Sequence, residues 1–124
     1  MIISLEPFEK ALKTLESALK TDSPSDLERD GIIQRFEYCI ELSWKTAKKK
    51  LDQNAIETDS PREVYRQMAK LRWIADAAIW FEFLNARNKT SHMYREDVAK
   101  EIFAIVPSFL VEAQLLLKKL KALT

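Results

Sequence analysis

The sequence predicts an all-α fold, an antiparallel up-and-down bundle of five to six helices, and three observations carry that reading. Gly31 is the single glycine and stands beside four prolines in 124 residues, so the turn chemistry that hairpins and phosphate-cradling loops need is nearly absent. Helix formers fill every long segment. Apolar residues recur at spacings of three and four, which puts them on one face of a helix and not on one face of a strand.

The elements follow in order. Leu5, Phe8, Leu12, Leu15 and Leu19 form the seam of a first helix that stops before Thr21-Asp22-Ser23-Pro24. Ser25-x-x-Glu28 is a capping box, in which the serine hydroxyl and the glutamate carboxylate each satisfy a free backbone N–H at the start of a second helix. The seam of that helix, Ile33, Phe36, Ile40, Trp44, Ala47 and Leu51, implies a length above roughly 20 residues. Gly31 costs it about 1 kcal/mol relative to alanine, which points to close packing or a bend near the start. After the polar turn from Asp52 to Asp59, Ser60-Pro61-Arg62-Glu63 supplies an N-cap serine, a proline at the first helical position and a glutamate at the third. A third helix therefore begins there and ends between Lys70 and Ile74. A fourth carries Ala77, Trp80, Phe81 and Leu84 on one face and leads into Arg87. The last seam, Val98, Ile102, Ile105 and Phe109, contains Pro107, which removes a backbone hydrogen bond and is expected to kink the helix or split it in two. No repeat, linker or low-complexity tract is visible, so residues 1–124 read as a single domain.

Composition bounds the function. With 47% hydrophobic and 31% charged residues the chain reads as globular, and no apolar run approaches the roughly 20 residues of a membrane span. The N-terminus shows no basic region followed by an apolar stretch, so a soluble, cytoplasmic protein with no membrane partner is expected. A net charge of +1 makes the whole molecule a weak attractor for nucleic acid, and any such binding must be local. The lysine clusters Lys45, Lys48, Lys49, Lys50 and Lys118, Lys119, Lys121 lie near helix C-termini, where cations complement the dipole, and read as solvated ends. Cys39 is the single cysteine; with Phe36 and Ile40 beside it, it reads as a small buried apolar residue. No glycine-rich loop, paired-carboxylate arrangement or Cys/His ligand spacing is present, so neither a cofactor nor a metal is expected, and a stand-alone kinase, nucleotidyltransferase or metalloenzyme is disfavoured.

Chemistry concentrates in Arg87-Asn88-Lys89-Thr90-Ser91-His92-Met93-Tyr94, which holds the only histidine. Histidine exchanges protons near neutrality, and a guanidinium offers phosphate a fixed fork. If the fourth helix continued to Tyr94, Arg87, Ser91 and Tyr94 would share a stripe and Asn88 and His92 the next one, with Arg87 and His92 about 140° apart. Either the helix breaks before His92 and lets the two converge, or two copies of the chain face each other across a two-fold axis and each supplies part of the site. A second polar set, Arg35, Glu37, Glu41 and Lys45, lies on the second helix, where Glu41 and Lys45 form a favourable (i, i+4) pair. Trp73, Trp80, Phe81 and Phe83 read as core or interface more readily than as a base-stacking platform.

Three co-ordered segments carry a resemblance: Arg35-Phe36-Glu37-Tyr38-Cys39-Ile40-Glu41-Leu42-Ser43-Trp44-Lys45, Ser60-Pro61-Arg62-Glu63-Val64, and Arg87 to Tyr94. Together they resemble the nucleotidyltransferase substrate-binding protein family, a branch of the HEPN superfamily of helical bundles, over almost the whole chain. The resemblance implies a homodimer that works with a separately encoded minimal nucleotidyltransferase, the partner carrying the metal and the transfer site. This chain would be the substrate-binding and regulatory subunit, with Arg87, Asn88, Ser91, His92, Glu41 and Lys45 holding a nucleotide or RNA. The resemblance also implies an alternative. HEPN proteins at large use Arg-x(4-6)-His as a metal-independent RNase site at a dimer interface and act as toxins that the nucleotidyltransferase neutralises. Arg87 and His92 match that motif, Asn88 supplies the polar residue that often follows its arginine, and Tyr94 occupies the position modified with AMP. His92 would then be general base and acid at the ribose 2′-hydroxyl and the leaving oxygen, and Arg87 would stabilise the phosphate in flight. A purely structural helical dimer, in which Arg87 and His92 are dispensable, is the third reading.

Overall fold

The computed structural model describes residues 3–124. It contains helices α1 (Glu6–Ala18), α2 (Asp26–Gln53), α3 (Pro61–Lys70), α4 (Ala77–Asn88) and α5 (Glu96–Leu123), with a 3₁₀ turn at Lys89–His92 between the last two. Among the described residues there is no strand, and the helices form the up-and-down bundle that the sequence predicts. No helix among them is long and apolar enough to cross a membrane.

The starts of α2, α3 and α4 are set by side chains. Ser25 Oγ accepts from Glu28 N at 3.1 Å while Glu28 Oε1 accepts from Ser25 N at 3.0 Å, closing the predicted capping box of α2. At α3, Ser60 Oγ accepts from Glu63 N at 3.1 Å, but the Glu63 carboxylate turns to Gln67 and Arg66. Asp76 caps α4 by accepting from Ala78 N at 2.9 Å.

Two helix ends use a device hidden in the sequence. Ala55 at φ 60° and Arg72 at φ 62° occupy the left-handed region just past α2 and α3. Ile56 N then bonds Leu51 O at 2.9 Å and Ala55 N bonds Asp52 O at 3.0 Å; Trp73 N to Met68 O and Arg72 N to Ala69 O repeat the pattern. These are Schellman ends made without glycine. The side chains of Ile56 and Trp73 fold back onto the core, which outweighs the backbone strain.

Two pairs of alternatives are narrowed. α5 runs unbroken from Glu96 to Leu123 through Pro107 and is not split. Pro107 lies on the exposed face, where water can meet the carbonyl left without a donor, while Ile102, Val106, Phe109 and Ala113 press both halves onto one core. Gly31 lies inside a continuous α2, and a Cβ there would meet nothing closer than Arg35 Nη1 at 3.5 Å, so close packing does not require it.

Phe109 is the hub of the core. Its ring meets those of Phe36 at 5.0 Å, Phe83 at 5.3 Å and Trp80 at 5.8 Å, largely edge to face, and Tyr65 stacks on Trp80 at 5.3 Å. Helices α2 to α5 thus each send an aromatic residue to one cluster, and α1 closes it with Phe8, Leu12 and Leu15. Ser43 Oγ donates to Ile40 O at 2.6 Å, which leaves the buried Tyr65 hydroxyl, 3.2 Å away, to donate to Ser43 Oγ. Cys39 is fully buried, and burial pushes its thiol up to about 12.

Some members of the lysine clusters are tied to neighbours at the bundle ends, Lys48 to Asp52, Lys50 to the Leu123 carbonyl and Lys121 to Glu9, while Lys49, Lys118 and Lys119 are exposed. The start of α5 is fastened more firmly. Arg29 Nη1 and Nη2 grip the Glu96 carboxylate at 2.6 and 3.2 Å, and that hydrogen-bonded guanidinium holds Glu96 below the usual carboxylate range.

Candidate functional site

The Arg87 to Tyr94 segment begins in the last turn of α4 and crosses the 3₁₀ turn. The α-helix stops at Asn88 because local hydroxyls take over its last carbonyls: Thr90 Oγ1 donates to Arg87 O at 2.7 Å and Ser91 Oγ to Asn88 O at 3.5 Å. Met93 N and Arg95 N then close onto Thr90 O and His92 O at 3.2 and 3.1 Å. Lys89 pairs with Glu101 of α5, and Arg29 pins Glu96 two residues beyond Tyr94, so the turn is tied down on both sides.

The helix therefore breaks before His92, but the break does not bring Arg87 and His92 together as expected, and the stripe that would have joined Arg87, Ser91 and Tyr94 does not form. The break divides the candidate residues into two groups. Arg87 turns towards α2, where its Nε donates to Glu41 Oε1 at 3.0 Å, and Lys45 Nζ lies 3.7 Å from Glu41 Oε2. His92 is exposed, with its ring centre 6.5 Å from that of Tyr94, which is 83% exposed. Among the described residues no hydrogen bond, ion pair or ring contact joins Arg87 to His92. Asn88 and Ser91 are exposed between the two groups.

Arg87 also forms one wall of an open cleft of about 550 Å³, shared with Glu41, Glu37, Tyr38, Gln34 and Leu42 of α2. Its Nε is engaged by Glu41, and its Nη atoms make no protein hydrogen bond among the described residues. The Glu41 carboxylate thus orients the guanidinium and partly neutralises it, so an incoming phosphate meets a fixed fork and competes with one carboxylate. Tyr38 and Gln34 are lining residues that the motif alone does not mark. Their signal is helical spacing, since Gln34, Tyr38 and Glu41 stand four and three residues apart on α2. Of the aromatics assigned to the core, Trp73, Trp80 and Phe83 are buried, but Phe81 stays partly exposed beneath Arg62 and Arg66. Among the described residues no group of His, Cys, Asp and Glu side chains could hold a metal ion.

The family profile of the nucleotidyltransferase substrate binding protein like proteins matches residues 3–122. The probable ribonuclease HepT of Haemophilus influenzae is 35% identical over 96 residues, which are 73% of this chain and 66% of that protein. The match thus spans slightly less than two thirds of that relative. A crystal structure from Thermus thermophilus superposes with a TM-score of 0.86 at 34% identity, covering 91% of this chain and 98% of the other. A Haemophilus influenzae structure, described as revealing the fold of a substrate-binding domain of a nucleotidyltransferase, gives 0.87 at 31% identity, covering 95% and 99%. Matched along nearly its whole length in sequence and superposable on these structures, the chain belongs to the nucleotidyltransferase substrate-binding protein family.

Proposed function

We propose that residues 1–124 act as a single domain, the substrate-binding and regulatory subunit of a two-component nucleotidyltransferase, and that the chain works as a cytoplasmic homodimer beside a separately encoded catalytic partner. The observation that carries this reading is the Arg87 guanidinium, oriented by Glu41 at the wall of an open cleft with its Nη atoms uncommitted. Arg87, Asn88, Ser91 and His92 hold the phosphate of a nucleotide or RNA, and Glu41 with Lys45 sets the position and charge of the arginine. The separation of Arg87 from His92 within one chain favours a two-fold arrangement in which a second copy completes the site. Light scattering is expected to give a dimer at micromolar concentration, and the adjacent nucleotidyltransferase gene product is expected to co-purify with it. A phosphate-bearing ligand should bind, and Arg87→Ala should weaken it at least about tenfold, in line with loss of a charge-assisted pair. A monomer, no co-purification, or binding indifferent to Arg87 would overturn the reading.

A second reading is favoured by the exposed His92–Tyr94 pair and by the similarity to a probable ribonuclease. Here His92 takes the proton of a ribose 2′-hydroxyl, the 2′-oxygen attacks phosphorus, and the 5′-oxygen leaves with a proton returned by histidine, giving a 2′,3′-cyclic phosphate. The partner would silence cleavage by transferring AMP from ATP to the Tyr94 hydroxyl with release of pyrophosphate, placing negative charge where the substrate phosphate binds. Cleavage in EDTA that His92→Ala abolishes would establish this activity. Absence of cleavage together with Arg87-dependent binding leaves the subunit role alone.

A further inference from the structure

The outer face of α3 and α4 carries a second arginine site. Two guanidiniums lie over the partly exposed ring of Phe81, Arg62 at 5.1 Å and Arg66 at 5.5 Å from its centroid, projecting from successive turns of α3. Arg66 is partnered by Glu63 at 3.6 Å. Arg62 has no such partner: among the described residues its side chain meets Phe81 and, through Nη2, Asn85 Oδ1 at 3.1 Å, and neither contact carries charge. These contacts fix the plane of the guanidinium without neutralising it. Two cations drawn to one ring repel each other, and an anion bound across them would remove that repulsion. A planar fork held in this way is organised for phosphate, and a base can stack on the outer face of a guanidinium plane.

The patch meets the Arg87 to Tyr94 segment at Asn88, whereas the Arg87 guanidinium, two residues after Asn85, lies on the other side of α4 in the α2 cleft. Phe81, Asn85 and Asn88 stand four and three residues apart on α4, along one stripe that ends where the 3₁₀ turn begins. Asn85 precedes Asn88 by about 4.5 Å along the helix axis, on the scale of one nucleotide step. With a net charge of only +1, the molecule cannot hold a polyanion by its overall field, so a bound strand needs local sites in register.

We propose that Arg62, assisted by Arg66, Phe81 and Asn85, forms a second subsite for single-stranded RNA, taking a phosphate and a stacked base on the outer side of α4, with Asn88 between it and the Arg87 cleft. The proposal rests on the reading that the Arg87 segment binds phosphate, and it narrows that ligand to an oligonucleotide. The probe is a labelled 2′-O-methyl oligouridylate of about ten nucleotides, which lacks the hydroxyl nucleophile and survives any cleavage, with binding followed by fluorescence polarisation. Arg62→Ala is expected to weaken binding roughly tenfold and to lower the slope of log affinity against log salt by about one unit. Arg62→Lys, which keeps the charge and loses the fork, should fall between the two. Circular dichroism should be unchanged, because Arg62 is exposed. If Arg87→Ala weakens binding and Arg62→Ala does not, the subsite is overturned while the phosphate reading stands. If the wild-type protein does not bind the probe, the RNA subsite is overturned; if it binds and neither variant weakens it, both readings fail. If Arg62→Ala spares the probe but abolishes association with the nucleotidyltransferase, the patch is a protein contact and the RNA assignment is overturned.

Discussion

Side chains of one chemical type diverge in this bundle according to what surrounds them. Cys39 sits among Phe36 and Ile40 with no exposure, and burial raises its thiol to about 12, so the thiolate needed for alkylation is scarce in the native state. Labelling with iodoacetamide at pH 8 is therefore expected to proceed only through unfolding and to accelerate sharply across the denaturant transition. Rapid labelling of the native protein would show that α2 opens locally. The same contrast separates Phe83, sealed against Phe109, from Phe81, which stays at the edge of the core and carries Arg62 and Arg66. Helical periodicity marks both as apolar; which one is sealed depends on how α3 and α5 meet α4. Glu41 shows the converse. Its pairing with Lys45 is legible as an (i, i+4) spacing and is present, whereas its contact with Arg87, 46 residues away, is a product of the fold.

At the scale of elements, starts were more legible than ends. Ser25, Glu28 and Ser60 announce α2 and α3 because capping is local chemistry, written within four residues. The ends at Ala55 and Arg72 carry no glycine and give no such signal, since it is the burial of Ile56 and Trp73 that forces the left-handed turn. Ala55→Gly should relieve this strain and raise stability by about 1 kcal/mol, read as a higher urea midpoint with an unchanged slope. An unchanged or lower midpoint would mean that the strain is absent.

The junction of α2 with α5 depends on pH. Arg29 lowers Glu96 below its ordinary value of 4.5, so the unfolded chain takes up the proton more readily than the folded one. The stabilisation is then present above the ordinary value and is lost as pH falls through the lowered one. Wild type should melt higher than Glu96→Gln at pH 7, and the two melting curves should converge as pH falls well below the ordinary carboxylate value. A difference that stays constant with pH would assign the effect to packing.

The whole molecule is organised around Phe109, which ties rings from α2 and α4 to α5 and reaches α3 through the Trp80–Tyr65 stack. Phe109→Ala is expected to cost about 3–5 kcal/mol, a large share of the 5–15 kcal/mol typical of a domain, and to lower Tm by at least about 10 °C. A smaller loss would show that the core can collapse into the space. His92→Ala should leave Tm unchanged, because His92 is exposed and outside that core.

The sequence by itself determined the helical class, the order of the elements and the candidate segment Arg87 to Tyr94, because periodicity, caps and residue spacing are properties of neighbouring residues. Only the tertiary structure decided that α5 survives Pro107, that the helix breaks before His92 and that Arg87 faces Glu41 while His92 faces solvent. Each of those outcomes balances a local backbone preference against burial by residues far away in the chain. That balance is settled by the packing of five helices on one core, which no window of sequence contains.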